Sequence, residues 1–201
     1  MNKNKIITKA EKWMQTHFKN ETTGHDWAHI NRVHKLSKKI QAIEGGDLFA
    51  IELAALFHDY SDTKLTSNPA QASKRLVIWM EQQEMPSNLI TQIIRIMESV
   101  SFKQGNNPIQ AQTIEEKIVQ DADRLDAIGA VGIARTFTYG GAHNREITNP
   151  LNPENTTIQH FYDKLLLIES QLNTQTAKEM AKGKQKIMQD FIHALEQELK
   201  I

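Results

Sequence analysis

The sequence predicts an all-α fold of seven or eight helices, and three observations carry that reading. Apolar residues recur at three- and four-residue spacing along most of the chain. No run of alternating β-branched residues bounded by turns occurs. The polar breaks between apolar stretches hold the residue types that start and stop helices.

The elements follow in order. Between residues 26 and 44, Ile30, Val33, Leu36, Ile40 and Ile43 form one apolar stripe among charged residues, and Gly45-Gly46-Asp47 ends it. Residues 48–58 (LFAIELAALFH) are apolar nearly all round, the pattern of a helix buried in the centre. Asn68 as N-cap with Pro69 in the first turn starts a helix carrying Leu76, Val77 and Met80. After Pro86 the next helix presents Leu89, Ile90, Ile93, Ile94 and Met97. The polar stretch KQGNNPIQAQ leads to Thr113, which makes a capping-box pattern with Glu116 ahead of Ile118-Val119. Residues 157–173 and 175–199 read as two further amphipathic helices. From about Thr138 to Thr157 the chain is rich in Gly, Asn and Pro, longer than most structureless connections, and such loops often carry function. No repeat, low-complexity run or linker divides the chain. Residues 1–201 are therefore read as one domain, with a core at about 24–136 and C-terminal helices at about 157–200.

The 24 Lys+Arg balance 24 Asp+Glu, which argues against a nucleic-acid polymer as partner and leaves room for a local positive pocket. Zero cysteines exclude a disulfide scaffold, a thiolate metal site and a cysteine nucleophile. The N-terminal stretch MNKNKIITKAEKWMQ has no apolar run of signal-peptide length, and no segment approaches the roughly 20 apolar residues of a membrane span. The expected location is the cytoplasm, with no membrane partner. Trp13, Trp27 and Trp79 are expected in helix packing, and Lys182, Lys184 and Lys186 on a solvated helix face.

Three segments bear chemistry. In GHDWAHINRV (24–33), His25, His29 and Arg32 share one face if the segment is helical; for His25 a surface histidine is the simpler reading. In ALFHDYSDTK (55–64), His58-Asp59 directly follows the apolar helix, where a carboxylate is expensive unless paired or metal-bound. Asp62 lies one turn further on and can face the same space. In IVQDADRLDAIGAVGIAR (118–135), Asp121, Asp123 and Asp126 sit in an otherwise apolar helix, so at least one is expected to face a cation. Capping, salt-bridge or supporting roles suit Asp121 and Asp126 better than Asp123. Two imidazoles with two carboxylates suit a first-row divalent metal with open positions for water. Calcium fits poorly and magnesium unusually, since both favour oxygen.

The ordered pattern of His29, His58-Asp59 and Asp123 resembles the HD-domain superfamily of metal-dependent phosphohydrolases. HxxRV at 29–33, AALFHD at 54–59 and DADRLDAIGAVGIAR at 121–135 carry the match. GHDxxH at 24–29, RTFTYGG at 135–141 and the tail HFYDKLLLIESQLNTQTAKEMA are similar to the stand-alone bacterial YedJ/YpgQ-like group. The resemblance implies His29, His58, Asp59 and Asp123 as ligands of one divalent ion, manganese first, with cobalt, nickel, iron or zinc as alternatives and magnesium less suited. It implies Asp62 as the residue that activates or positions the attacking water, and Arg32 near the phosphates.

Lys64, His143 and Arg145 are further candidates for phosphate contact, with an ordinary solvated loop as the alternative; Arg124 could reach substrate or pair with an aspartate. The implied activity is hydrolysis of a small nucleotide, as a (deoxy)nucleoside triphosphate pyrophosphohydrolase. Nucleoside monophosphate phosphatase, alarmone hydrolase and a non-enzymatic nucleotide sensor are the alternatives, and a homodimer is compatible. One departure stands out: relatives often carry an Arg-rich stretch where this chain reads AKGKQKIMQDF, so no role of those arginines transfers to it.

Overall fold

Helices begin where short polar side chains can satisfy the free N–H groups of a first turn. The computed structural model describes residues 1–22, 24–62, 65–100 and 107–200. Asn2 caps α1 (Lys3–His17), Asp26 caps α2 (Trp27–Glu44) and Asp47 caps α3 (Leu48–Phe57). Asn68, with Pro69 in the first turn, caps α4 (Pro69–Gln82) as its sequence predicts, and α5 spans Ser87–Val100. Ahead of α6 (Ile114–Asp126), Thr113 Oγ1 accepts from the Glu116 N–H at 3.3 Å. The Glu116 carboxylate reaches back to the Gln112 N–H at 2.6 Å, one residue earlier than a standard capping box. Then come α7 (Gly129–Ala142), the five-residue α8 (Gln159–Asp163) and α9 (Gln175–Glu198), the last capped by Thr174. The described residues thus hold nine α-helices and no strand. None of the helices is long and apolar enough to cross a membrane.

The chain divides into two compact units, residues 1–21 with 25–122 and residues 22–24 with 123–201. In the first unit α3 is central: every residue from Phe49 to Phe57 is buried, and the helix packs on α1, α2 and α5. Each fully buried Leu, Ile or Phe contributes about 1.5–3 kcal/mol, which makes α3 the energetic centre of this unit. The α2 stripe is buried at Ile30, Val33 and Ile40, half-buried at Leu36, and ends there; nothing in the structure buries Ile43, which is 75% exposed.

Beyond α3, Trp13 stacks on Trp79 with ring centroids 5.3 Å apart and meets Tyr60 at 4.9 Å and the edge of Phe57 at 5.9 Å. This aromatic cluster clamps the residues on either side of His58-Asp59. It also places Trp13 and Trp79 in packing, as expected.

One carboxylate lies within α3 itself. Glu52 accepts from Lys38 Nζ at 2.8 Å and from His34 Nε2 at 3.0 Å, both on α2; Glu11 of α1 lies 3.7 Å from the other His34 nitrogen. Burial pushes the Glu52 carboxyl up, but His34 and Lys38 outweigh it and hold the group below its ordinary 4.5.

The second unit pairs α7 with α9. Here the expected helix over 157–173 is replaced by α8 and two 3-10 turns, Leu165–Leu167 and Glu169–Gln171. Phe161, Leu165, Ile168 and Leu172 are all buried. Their 4-3-4 spacing suits either form, so periodicity alone could not separate them. Side chains stabilise the broken form: Gln185 of α9 donates to the Leu166 carbonyl at 2.9 Å, and the Arg124 guanidinium donates to the Gln171 carbonyl.

Lys184 departs from the solvated face expected for it. Its Nζ reaches the Ile128 carbonyl at 3.2 Å, and its stem lies over Gly129, where an added Cβ would come within 2.9 Å of it. Gly129 opens α7 at φ +77°, so glycine is required there on both counts. The predicted long loop is shorter than expected, because α7 continues to Ala142. Its base is closed by Thr157 N–H to Glu146 O (2.8 Å) and Ile158 N–H to Ile147 O (3.2 Å).

Two measurements check this account. Gly183 lies inside α9 with nothing within 4 Å of an added Cβ, so Gly183→Ala should raise stability by about 0.5–1 kcal/mol in urea denaturation. For Glu52, a lowered folded-state pKa means a stabilisation present above the ordinary 4.5 and lost as pH falls through the folded value. The stability gap between wild type and Glu52→Gln should therefore be widest near neutral pH and narrow below that value.

Candidate metal centre

The first turn of α2 and the end of α3 bring the histidines together. Asp26 caps α2 by accepting the His29 N–H at 2.8 Å, which fixes His29 in the first turn with its ring fully buried. His58 is the C-cap of α3, and its Nδ1 donates to the Ala55 carbonyl at 2.8 Å. That bond places a proton on Nδ1 and turns Nε2 toward the neighbouring ligand candidates. Nε2 of His58 and Nε2 of His29 then lie 3.2 Å apart. Asp59 follows, with Oδ2 at 3.3 Å from His29 Nε2 and Oδ1 at 3.5 Å from His58 Nε2.

Burial alone would raise the Asp59 carboxyl. The surrounding imidazoles of His58, His25 and His29 hold it well below its ordinary range, so the group is a carboxylate.

The donor set fits a divalent transition metal. The 3.2 Å between the two imidazole nitrogens matches the roughly 3.0–3.4 Å expected of two donors bound about 2.1 Å from one ion at angles between octahedral and tetrahedral. Uncharged nitrogen donors beside a carboxylate are the ligand chemistry of first-row divalent ions.

Asp62, the expected water-activating residue, is half-buried in the turn after the doublet. Its N–H donates to the Asp59 carbonyl at 3.2 Å, and its own carbonyl accepts from Leu65 and Thr66 at 3.0 and 3.1 Å. These bonds tie its position to the doublet. Arg32 is half-buried on α2, one turn beyond His29. Lys64 lies outside the described residues.

The remaining candidates belong to the second unit. Asp123, half-buried, is its first residue on α6. Asp126 pairs with Arg135 at 2.8 Å, the salt-bridge role the sequence suggests. Arg124 donates to the Gln171 carbonyl. His143 and Arg145 are exposed in the turn closing α7: His143 stacks on Tyr139 at 3.9 Å and Arg145 lies over the same ring at 5.6 Å.

His25 is the residue that the sequence reading undervalues. It precedes the α2 cap and so is not on the helix, yet its Nδ1 lies 2.9 Å from Asp59 Oδ2 and its ring meets His29 edge-on at 5.5 Å. The pairing joins residues 34 apart, and no local pattern encodes that approach. The GHDxxH spacing was the only available signal.

Comparison with known proteins shows the family of the chain. Residues 26–128 match the family model of the HD domain. The solved structure of the Lin1889 protein of Listeria innocua is 67% identical, covers 100% of this chain and 99% of its own, and has a TM-score of 0.86. The curated protein YpgQ of Bacillus subtilis is 38% identical over 192 residues, 93% of this chain and 90% of YpgQ. The crystal structure of YpgQ in complex with ADP covers 96% of this chain and 97% of its own at a TM-score of 0.82. An HD-superfamily hydrolase from Bacillus thuringiensis is 36% identical, with 99% of each chain covered and a TM-score of 0.80.

Replacing His58 or Asp59 by Ala should abolish bound divalent metal while leaving far-UV circular dichroism close to that of wild type. Elemental analysis of the purified variants checks this, and full occupancy in either would remove the ligand assignment.

Proposed function

The chain belongs to the HD-domain family of metal-dependent phosphohydrolases, and from that premise we propose that it is a nucleoside triphosphate pyrophosphohydrolase, acting on deoxynucleotides and releasing a monophosphate and pyrophosphate. The observation that carries the reading is the convergence of His29 Nε2, His58 Nε2 and the Asp59 carboxylate within 3.2–3.5 Å. The crystal structure of the relative YpgQ with ADP supports a nucleotide as ligand class.

His29, His58 and Asp59, with Asp123 as fourth ligand on the family resemblance, would hold one divalent ion, manganese first. Such an ion supplies Lewis-acid polarisation of a phosphoryl oxygen and lowers the pKa of a water. The chain's own groups do the rest. Asp62, placed by the turn that follows Asp59, takes the proton of the attacking water. The water oxygen bonds to the α-phosphorus as the bond from that phosphorus to the bridging oxygen of the β-phosphate breaks. Pyrophosphate leaves with the bonding electron pair. Arg32 offers a guanidinium for a phosphate oxygen, and Lys64, His143 and Arg145 are further phosphate contacts in this scheme.

A panel of deoxy- and ribonucleotides assayed with Mn²⁺, Co²⁺, Ni²⁺, Zn²⁺ and Mg²⁺ in parallel tests the reading. Pyrophosphate with a monophosphate product is expected; inorganic phosphate released from monophosphates would mean a phosphatase instead. Asp62→Asn should keep its metal and lose turnover by a factor of roughly 10²–10⁴, the usual contribution of a general base. An unchanged rate would remove Asp62 from the mechanism.

A further inference from the structure

We propose that His25 is a positioning residue for the metal centre: its Nδ1–H holds the Asp59 carboxylate in the orientation that presents it beside His29 and His58. The inference rests on the ligand set above and is independent of which nucleotide is hydrolysed.

The geometry is specific. Asp59 is a carboxylate and can only accept, so the proton in the 2.9 Å contact resides on His25 Nδ1. This is the shortest of the imidazole contacts to Asp59; those from His29 and His58 are 3.3 and 3.5 Å. The contact has the length of an ordinary hydrogen bond, donated by His25 to the carboxylate. With Nδ1 protonated, the atom of His25 nearest the site has no lone pair to offer a metal. Its role is to hold the orientation of the Asp59 carboxylate.

His25 is held in turn. Gly24, immediately before it, adopts φ +96°, a conformation suited to glycine, and Asp26, immediately after it, is locked as the α2 N-cap. The His25 ring packs edge-on against His29. The His25 side chain is 26% exposed and lies outside the helix, so its replacement removes no residue of α2 or α3.

Groups that orient a metal ligand typically change metal affinity by about 10–100-fold when removed. Mn²⁺ binding to the metal-stripped full-length chain, read from the free-ion signal in electron paramagnetic resonance, gives the test without any substrate. His25→Ala should weaken Mn²⁺ binding by about that factor, with the far-UV circular dichroism of the wild type retained in the absence of metal. His25→Asn, which keeps an N–H donor near the position of Nδ1, should restore affinity to within a few-fold of wild type.

Wild-type affinity in the alanine variant would overturn the proposal. So would loss of affinity in both variants alike, which would make the imidazole itself a ligand. Should the alanine variant not fold, the asparagine variant decides alone: near-wild-type affinity is expected, and a hundredfold loss overturns the donor role. A wild-type chain that bound no Mn²⁺ would overturn the ligand set and this proposal together, an outcome distinct from failure on the nucleotide panel.

Discussion

The first unit is organised around a carboxylate that must stay ionised in a buried place. Asp59 stands at the end of the most apolar helix in the chain, where an unpaired charge would cost several kcal/mol. Three imidazoles offset that cost, and they come from two directions: His58 from the same turn, His25 and His29 from the start of α2. The packing of α2 on α3 is therefore also what keeps the carboxylate charged. The ring cluster of Trp13, Phe57, Tyr60 and Trp79 secures the backbone on both sides of the doublet.

Two other buried acids show why this one is different. Glu52 is neutralised by Lys38 with His34 beside it, and Asp126 by Arg135. The lysine ammonium and the arginine guanidinium are cationic donors without a lone pair for a metal, so such pairs are closed and serve packing. An imidazole, by contrast, can stabilise a carboxylate and also offer a nitrogen to a metal, and His29 and His58 bring their Nε2 atoms within 3.2 Å of each other beside Asp59. The identity of the partner, more than the burial of the acid, separates a structural ion pair from a metal centre.

The second unit follows another constraint, the supply of partners for backbone carbonyls. The segment between α8 and α9 leaves the α-helical path, and carbonyls it would otherwise strand are met by Gln185 and Arg124. Lys184 does the same for Ile128 at the entry to α7. Polar and basic residues that look like a solvated face in the sequence are partly committed to this work.

Much of this was legible in the chain itself. The spacing of Ile30, Val33 and Ile40, the continuous apolar run of α3, and the caps at Asn68 and Thr113 are local, because helix periodicity and end-capping depend on residues within one or two turns. The ligand candidates His29, His58 and Asp59 were visible because their residue types and order are distinctive. Tertiary structure alone decided the rest: that His25 meets Asp59 across 34 residues, that Lys184 covers Gly129, and that residues 165–171 form 3-10 turns with carbonyls bound from other helices. Each of these depends on which side chain from a distant segment comes within hydrogen-bond reach, a distance that packing sets and local spacing does not.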